Sequence, residues 1–388
     1  MSKFDTGEIN EFVDISSETD VRRIYRDSAL APPKKRKKGI GMRAFVLVLS
    51  ILFLITGTGM LYYYHVLDTL NYDEIERQPE TTADGSTSPT IENAGSSLLS
   101  SENVLNILLF GQDNRQGEGD YGRSDTTILL SIDNLHRKIK LTSFQRDTYV
   151  TIPGYGDNKI NAAYSLGGVK LSIETIEANF GIKVDKYAVV DFKSFRKVIA
   201  ALGGVDIELT VDEIEYINAQ IDVNNQTDKT SFLDYDPYET GTQLIHLDGY
   251  QALWYARDRG EESLGGIAEY SFSGDDWDRT ERQRNLIETI VTDLRSEASL
   301  TDLVKIVNDV GPLVTTNLKK SDITFLVSNM MTYINYEMVE MSLPTEGNWQ
   351  YGRTGDGQSV IVITDWDKVR LDLATFIYED VTSSADAS

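Results

Sequence analysis

The fold is decided by three segments of the chain, NILLFGQDNR (106–115), GRSDTTILLSID (122–133) and KLTSFQRDTYVTIPGYGDNKINAA (140–163). Each contains an apolar run rich in Ile, Leu or Phe that is bounded by Gly, Asn, Asp or other polar residues. Runs of this length and composition are typical of buried strands. The sequence therefore predicts strands over Ile107–Phe110, Thr127–Ile132 and Ile139–Phe144.

Charged residues stand directly beside these apolar runs. Because burying an unpaired charge is costly, six charges next to buried strands need a reason. One reason is a set of surface salt bridges at the strand ends. The other, which we favour for the set as a whole, is a site in which carboxylates hold a hard cation and guanidinium groups hold an anion such as phosphate. The six residues are Asp113, Arg115, Arg123, Asp125, Arg146 and Asp147.

The N-terminal part of the chain predicts a membrane anchor. Residues 44–67 contain no Asp, Glu, Lys or Arg, and 24 residues are enough for one transmembrane helix. The run PPKKRKK (32–38) precedes this segment and three tyrosines lie near its other end, which places the tail 1–43 in the cytoplasm. A cleaved signal peptide is the alternative, but no small-residue cleavage site is evident.

The remaining chain is organised as a linker, one domain and a tail. Residues 68–103 are rich in Thr, Ser, Glu and Asp, which favours a flexible extracytoplasmic linker. One large domain is expected over 104–380, followed by a disordered tail over 381–388. The whole protein would then be a single-pass protein of the cell membrane.

Charge and cysteine content exclude several classes of site. Residues 1–67 carry 10 Lys and Arg against 7 Asp and Glu, whereas the rest of the chain carries 27 against 54. So acidic a domain is a poor non-specific binder of nucleic acid, where basic charge supplies most of the affinity. The chain has no cysteine, which excludes disulfides, a thiol nucleophile and thiolate metal sites.

Beyond Ala163, strand patterns alternate with helical patterns, which indicates an α/β sandwich. The short connection 133–138 favours a mixed rather than a parallel sheet. Strands over Glu337–Leu343 and Ser359–Thr364 are expected to extend that sheet. The acidic stretch Glu213–Leu244 has little periodicity and is expected to be a long excursion over the domain face.

Two later blocks carry further arginines. Arg257 and Arg259 follow a helical pattern over Leu247–Ala256. Residues two apart share a side in an extended segment but not in a helix, so the helix should end near Ala256 if both bind one anion. A solvated basic helix end is the alternative. In the predicted helix Asp278–Leu294, capped by Asp278 or Thr280, Arg279 and Arg282 share one face.

These blocks together resemble the LytR-CpsA-Psr family. The matching segments follow one another in the order found in the family. They are GQDNR, GRSD, QRDTYV, IPGYG, KINAAY, the segment Phe180–Ile207, LDGYQALWYARDR (247–259) and DRTERQRNLI (278–287). The resemblance covers roughly residues 104–295. The acidic insertion 260–276 departs from the family, whose members have a shorter connection there.

The resemblance implies an α-β-α sandwich with a mixed central sheet and a phosphotransferase activity. The enzyme would move an anionic glycopolymer, of teichoic acid or capsular polysaccharide type, from a polyprenyl-pyrophosphate lipid carrier to peptidoglycan. Metal ligands for Mg²⁺ (or Mn²⁺) would be Asp113 and Asp125, and Asp125 or Asp147 could accept the proton of the attacking hydroxyl, with Arg146 also in the catalytic set. The residues expected to bind the pyrophosphate are Arg123, Arg146, Arg257, Arg259, Arg279, Arg282 and Gln283.

The lipid tail of such a carrier needs an apolar groove, for which the expected wall residues are Leu171, Ile176, Phe180, Phe192 and Phe195. Ordinary core packing is the alternative for each of them. Two other functions stay open at this point: a pyrophosphatase that releases the lipid-linked glycan to water, and a membrane-anchored scaffold or regulator that binds cell-wall polymer without chemistry. Transcriptional control is disfavoured, because no helix-turn-helix pattern with a basic face is present.

Overall fold

A seven-stranded sheet with helices around it forms the centre of the structure. The computed structural model describes residues 71–73, 98–113, 122–260, 275–297 and 309–379. In chain order its elements are β1 (Asn71–Tyr72), β2 (Val104–Asp113), β3 (Arg123–Asp133), β4 (Lys138–Phe144), β5 (Tyr149–Ile152), β6 (Gly156–Lys159), α1 (Ala162–Phe180), β7 (Lys186–Asp191), α2 (Phe192–Leu202), β8 (Val205–Thr210), α3 (Val211–Val223), β9 (Thr242–Leu247), α4 (Gly249–Tyr255), α5 (Asp276–Glu297), β10 (Thr315–Thr316), α6 (Lys320–Tyr333), β11 (Glu337–Leu343), β12 (Trp349–Arg353), β13 (Ser359–Ile363) and α7 (Trp366–Tyr378).

The central sheet is mixed, as the sequence predicts. Within the described residues its strand order is β1-β10-β7-β2-β3-β4-β11. Strands β2, β3 and β4 contain the three apolar runs and pair antiparallel with their neighbours, and a short turn joins β3 to β4. Strands β7 and β11 pair parallel with β2 and β4, since helices intervene along the chain. The expectation that β11 extends the sheet is confirmed.

Helices cover both faces of this sheet, because alternate residues of each strand point to opposite sides. On one face, Phe180 of α1 and Leu373 of α7 belong to the same buried cluster as Leu108 of β2. On the other face, Tyr333 of α6 packs in a cluster with Ile107 of the same strand. The chain is therefore an α/β protein with a mixed central sheet, which confirms that part of the predicted fold class.

A third apolar cluster lies outside the sheet and corrects one expectation. The sequence analysis assigned Glu213–Leu244 to an excursion without periodicity, but α3 occupies its beginning. Thr210 and Glu213 form a capping box at the start of this helix, a pairing that satisfies two free backbone N–H groups. The acidic residues of the exposed face obscured the helical period. The period is carried by the fully buried Ile214, Ile217 and Ile221.

Within the described residues, three two-stranded sheets stand apart from the central sheet. Strand β5 pairs with β6, β8 pairs with β9, and β12 pairs with β13. The expectation that Ser359–Thr364 extends the central sheet is therefore wrong, because its hydrogen bonds are taken up by β12. The β12–β13 hairpin instead reaches the end of β4, where the backbone N–H of Ile361 donates to the carbonyl oxygen of Asp147 at 2.9 Å. This contact brings the hairpin to the charged residues that follow β4.

The predicted membrane segment 44–67, the tail 1–43 and the C-terminal residues 381–388 lie outside the described residues. No helix in the described part has both the length and the apolar character needed to cross a bilayer. Within the predicted linker 68–103, Asn71–Tyr72 pairs with β10 at the sheet edge, and Leu99 forms a bridge to Ile182.

Candidate active site

A bulge in the β2–β3 hairpin places Asp125 at the end of the sheet. Gly111 pairs with Thr126 and Gln112 pairs with Ser124, so that Asp125 is the extra residue of β3. An extra residue of this kind bends the strand and redirects a side chain, and bulges recur next to active sites. Beyond the bulge, Asp113 and Arg123 pair with each other, at the last residue of β2 and the first residue of β3. Their side chains, and all of Arg115, lie outside the described part.

The guanidinium group of Arg146 lies among three carboxylates. Its Nη1 is 3.2 Å from Oδ1 of Asp125, and its Nε is 3.2 Å from Oδ1 of Asp276 and 3.7 Å from Oδ2 of Asp147. Lys159 holds the other oxygen of Asp147 at 2.7 Å. Burial by itself would lower the pKa of Arg146, but the surrounding carboxylates outweigh it and the pKa is raised.

Helix α5 contributes a second arginine and an acid that the sequence analysis did not single out. Its start is capped by Asp275, whose Oδ1 accepts the N–H groups of Trp277 and Asp278. The predicted caps Asp278 and Thr280 are therefore wrong. One turn along, Nη2 of Arg279 lies 2.8 Å from Oδ1 of Asp276 and donates to the carbonyl oxygen of Asp125 at 2.9 Å.

Asp276 is thus shared between two arginines, Arg146 and Arg279. Burial raises the pKa of the Asp276 carboxyl, against the effect of both arginines. Burial also lowers the pKa of Arg279 to about 10, which still leaves it charged at neutral pH. The sequence signal for Asp276 was its spacing of three from Arg279 on a helix, but the residue fell inside the expected insertion 260–276.

The end of α4 positions Arg257 and Arg259. The helix ends at Tyr255 with Ala256 as its C-cap, which confirms the predicted end near Ala256. At the start of the helix Gly249 is required, because a Cβ there would overlap the backbone carbonyl of Arg196 in α2. The guanidinium carbon of Arg257 lies 4.4 Å from the centre of the Phe192 ring, a stacking that orients the arginine without neutralising it.

Arg282 lies apart from the cluster around Arg146. Its Nε is 2.8 Å from Oε1 of Glu213 and its Nη2 is 3.3 Å from Oδ2 of Asp258. Nη1 also donates to the carbonyl oxygen of Asp258. Because Asp258 stands between Arg257 and Arg259, these contacts hold the segment that carries both arginines.

An apolar cavity of about 430 Å³ opens beside these charges. Strands β2, β3 and β7 bound it on one side, and helices α2, α3, α4 and α5 bound it on the others. Of the expected wall residues, Phe192 and Phe195 line it, whereas Leu171, Ile176 and Phe180 belong to the core between the sheet and α1. The polar and charged residues of its lining include Asp125, Gln220, Arg257, Arg259, Arg279 and Gln283.

Several buried polar atoms at this site make no hydrogen bond to any residue that the structure describes. Those of Arg146, Arg279 and Asp276 belong to ion-paired groups, and Gln283 lies in the cavity lining. Since buried polar atoms are nearly always hydrogen-bonded to protein or ordered water, these atoms have capacity for water or for a polar ligand. A greasy cavity beside arginines suits a molecule with a long apolar chain and an anionic head. The atoms are Nε of Arg146, Nε of Arg279, both carboxylate oxygens of Asp276 and Oε1 of Gln283.

Comparison with known proteins identifies the class. The fold and this site define an α/β protein with a charged cluster beside an apolar cavity, and the model of the LytR_cpsA_psr family matches residues 63–367. The chain therefore belongs to the LytR_cpsA_psr family, as the sequence blocks indicate.

Its relatives are mostly named as transferases. The polyisoprenyl-teichoic acid–peptidoglycan teichoic acid transferase TagU of Oceanobacillus iheyensis is 32% identical over 305 residues, which cover 76% of this chain and 82% of TagU. The regulatory protein MsrR of Staphylococcus aureus is 30% identical over 227 residues, covering 58% of this chain and 60% of MsrR. The crystal structure of Bacillus subtilis TagV has a TM-score of 0.52 at 25% identity, covering 73% of this chain and 100% of the crystallised chain. A structure of TagT bound to LIIa-WTA has a TM-score of 0.53 at 24% identity over 72% of this chain and 91% of the crystallised chain, and it supports the fold alone.

The buried carboxyl of Asp258 gives a pH-dependent prediction. Burial raises its pKa from 3.8 to about 6, although Arg282 opposes the shift. The folded state therefore holds a proton that the unfolded state has lost, so this group's contribution to stability is full below about pH 4 and is lost as the pH rises through about 6. At about 1.36 kcal/mol per pKa unit, the loss is about 3 kcal/mol. In urea titrations, the free energy of unfolding of Asp258→Asn should rise relative to wild type by that amount between about pH 3 and about pH 7, a range that brackets both pKa values. A difference that stays flat across the range would contradict the shift.

Proposed function

We propose that this chain is a phosphotransferase that moves a glycopolymer of teichoic acid or capsular type from a polyprenyl-pyrophosphate carrier to peptidoglycan. The observation that carries the proposal is the apolar cavity with Arg257, Arg259 and Arg279 in its lining. The names of the relatives support it, since TagU proteins from several bacteria are named teichoic acid transferases acting on peptidoglycan.

The proposed location follows from the substrate. A polyprenyl carrier resides in the membrane, and peptidoglycan lies outside it. The basic run and apolar segment of the N-terminal 67 residues would anchor the chain with its N-terminus in the cytoplasm. The family domain would then work at the outer membrane face, where the substrate must arrive already activated because ATP is absent. A pyrophosphate link supplies that activation.

The cavity would take the first isoprene units of the carrier. Its wall residues are aliphatic and aromatic, among them Leu253, Ile287 and Ile290. Apolar area removed from water contributes roughly 25 cal/mol per Å², so a prenyl chain gains affinity here that a soluble sugar phosphate does not. The same wall keeps water away from the charged groups beside it, and electrostatic attraction is stronger where water is excluded.

The arginines would neutralise the pyrophosphate. Arg257, Arg259 and Arg279 line the cavity, and Gln283 offers an amide oxygen and nitrogen beside them. Arg146 and Arg279 now share Asp276, so an incoming diphosphate would exchange places with that carboxylate as their counter-ion. Because phosphoryl transfer depends on positioning and on stabilising spread negative charge, fixed guanidinium groups are the main catalytic device. Arg123 joins this set by its place at the end of β3.

The two carboxylate residues at the bulged end of β2 and β3 are of the type that binds magnesium. Asp113 and Asp125 come from neighbouring strands, and Mg²⁺ is usually held by one or two carboxylates together with substrate phosphate oxygens and water. When bound, Mg²⁺ (or Mn²⁺) would draw negative charge from the phosphate oxygens. Asp125 also pairs with Arg146 at 3.2 Å, which couples the expected ligand to the arginine cluster.

The transfer itself needs a base and a leaving group. The hydroxyl oxygen of the acceptor attacks the phosphorus that carries the glycan, and the bond from this phosphorus to the bridging oxygen breaks. The polyprenyl phosphate leaves with the electron pair of that bond. The hydroxyl proton passes to a carboxylate, for which Asp147 is favoured because Asp125 is assigned to the metal. Lys159 lies 2.7 Å from Asp147 and holds its carboxylate in place.

Removing the Arg146 guanidinium should abolish most of the transfer. Arg146→Ala in the full chain should lower the transfer rate by about 10²–10³, because a positioned charge that meets the transition state is lost. Arg146→Lys should recover little, since an ammonium group cannot span several partners. The measurement follows radiolabelled glycopolymer from its lipid carrier into peptidoglycan.

The matched control is Arg137→Ala, in the exposed turn at the opposite end of the same strands, which should transfer normally. Full transfer by Arg146→Ala would rule out the proposed site. Release of labelled glycan to water without a peptidoglycan adduct in wild type would favour the pyrophosphatase instead.

Filling the cavity should weaken lipid binding. Ile287→Trp places a larger ring in the cavity lining, so a fluorescent polyprenyl pyrophosphate should bind at least ~10-fold more weakly, because its chain loses buried apolar area. Val291→Trp, one turn further along α5 and half-buried, is the control for the added volume. Equal affinity of the two variants would show that the lipid lies elsewhere.

Removing divalent metal should stop transfer reversibly. Excess EDTA should lower the rate by at least ~10²-fold, because the phosphate charge is then met by arginine alone, and added Mg²⁺ should restore it. Asp125→Asn should be insensitive to either treatment at its residual rate. Undiminished transfer in EDTA would instead favour a mechanism without metal.

A further inference from the structure

A second cavity lies beside Arg146, and its lining is polar, whereas the lining of the first cavity is mostly apolar. It has a volume of about 290 Å³. Within the described part, the two cavities share no lining residue. They are joined by one ion pair, because Arg146 lines the polar cavity and its partner Asp125 lines the apolar one. The lining of the polar cavity consists of Arg146, Asp147, Asn158, Lys159, Asn161, Ala162, Ser165 and Gln358.

The side chains of the polar cavity suit a neutral, hydroxyl-rich ligand. Its charged groups Arg146, Asp147 and Lys159 are paired with one another. The three carboxamides and the hydroxyl of the lining offer both donors and acceptors, of which the Gln358 nitrogen also donates to Asp356. Asn161 occupies the N-cap position of α1, yet its side chain makes no capping hydrogen bond there. An N-cap asparagine usually accepts a backbone N–H, so this carboxamide is left to face the cavity.

Two neighbouring segments hold this cavity at the reacting residues. The backbone N–H of Asn161 donates to the carbonyl oxygen of Arg146 at 3.3 Å, and that of Ile361 donates to Asp147 at 2.9 Å. The second contact anchors the β12–β13 hairpin, from which Gln358 reaches the cavity lining. The polar side chains are therefore attached to the same backbone as the proposed base.

A row of aromatic rings starts beside the same cluster. Trp277 follows Asp276 in the chain and stacks on Trp349 of β12, with ring centres 5.0 Å apart and an angle of 27° between the planes. Trp349 in turn meets Tyr351 edge to face at 5.0 Å. Tyr351 is 65% exposed, although a large ring gains by burial. Sugar rings stack their apolar C–H faces on rings presented in this way.

We propose that the polar cavity and this aromatic row bind the acceptor, a peptidoglycan glycan strand, and present its hydroxyl to Asp147. The proposal rests on the proposed transfer function. Phosphoryl transfer places the attacking and leaving oxygens roughly in line across the phosphorus, so donor and acceptor need separate compartments. The apolar cavity binds the leaving polyprenyl phosphate, and the polar cavity binds the attacking sugar. Arg146 pairs with Asp125 of the apolar cavity and with Asp147 of the polar cavity, so its guanidinium group would lie beside the phosphorus.

The test measures acceptor binding apart from catalysis. Soluble, uncrosslinked glycan strands are titrated into the full chain while tryptophan fluorescence is followed, because Trp277 and Trp349 lie in the proposed site. Wild type should show a saturable change in emission. Asn161→Ala and Gln358→Ala should weaken binding by roughly 5–20-fold, whereas Asn335→Ala, an exposed asparagine next to α6, should bind as wild type does. Tyr351→Ala should weaken binding of long strands more than binding of a disaccharide.

Steady-state transfer separates the two possible sugars. Asn161→Ala should raise KM for the glycan strand about tenfold and leave KM for the lipid-linked donor within about twofold. A rise in donor KM alone would assign the cavity to the donor's own sugars and overturn the proposal, as would unchanged strand affinity in both variants. If wild type binds strands but transfers nothing to them, the function fails while the binding site stands.

Discussion

The ion pairs of Arg146 with Asp125, Asp147 and Asp276 are the contacts on which the rest of the site depends. Charges that leave water are stable only where opposite charges and hydrogen bonds replace it. Three separate pieces of the chain supply the carboxylates: the bulge of β3, the turn after β4 and the start of α5. Removing any one of them would leave a guanidinium group short of a partner. The cluster therefore fixes how the β2–β3 hairpin, the end of β4 and α5 meet.

The same cluster divides the space around it into two kinds of environment. On the side of α2 and α5, the wall is aliphatic and aromatic, and the neighbouring Arg279 is only 3% exposed. On the side of α1 and the β12–β13 hairpin, carboxamides and Lys159 line a polar space. In the proposed transfer, a group that moves from a lipid to a sugar would pass between these two environments. Each substrate would then meet a surface of its own polarity, with the arginine charge between them.

Much of the frame followed from sequence pattern. The runs in β2, β3 and β4 were long and apolar enough to specify strands, and the six-residue turn 133–138 specified a mixed sheet. The spacing of Arg257 and Arg259 predicted that α4 ends near Ala256, as it does. Where composition opposed periodicity, the prediction was wrong: acidic residues hid α3. Strand β13 was correctly predicted to be a strand, but its pairing with β12 was not predicted. Strand pairing depends on tertiary contacts that the pattern within one segment does not contain.

The sequence by itself determined most of the elements, the family blocks and the kinds of charge that the site contains, since these depend on residues close together along the chain. Only the tertiary structure decided which of those charges meet. It brought Asp276 between Arg146 and Arg279, turned Arg282 toward Glu213 and Asp258, and left Leu171, Ile176 and Phe180 in the core while Phe192 and Phe195 faced the cavity. The physical reason is that the strength of a buried ion pair depends on the distance between the charges and on how far water is excluded. Neither quantity can be derived from the spacing of residues along one strand or helix.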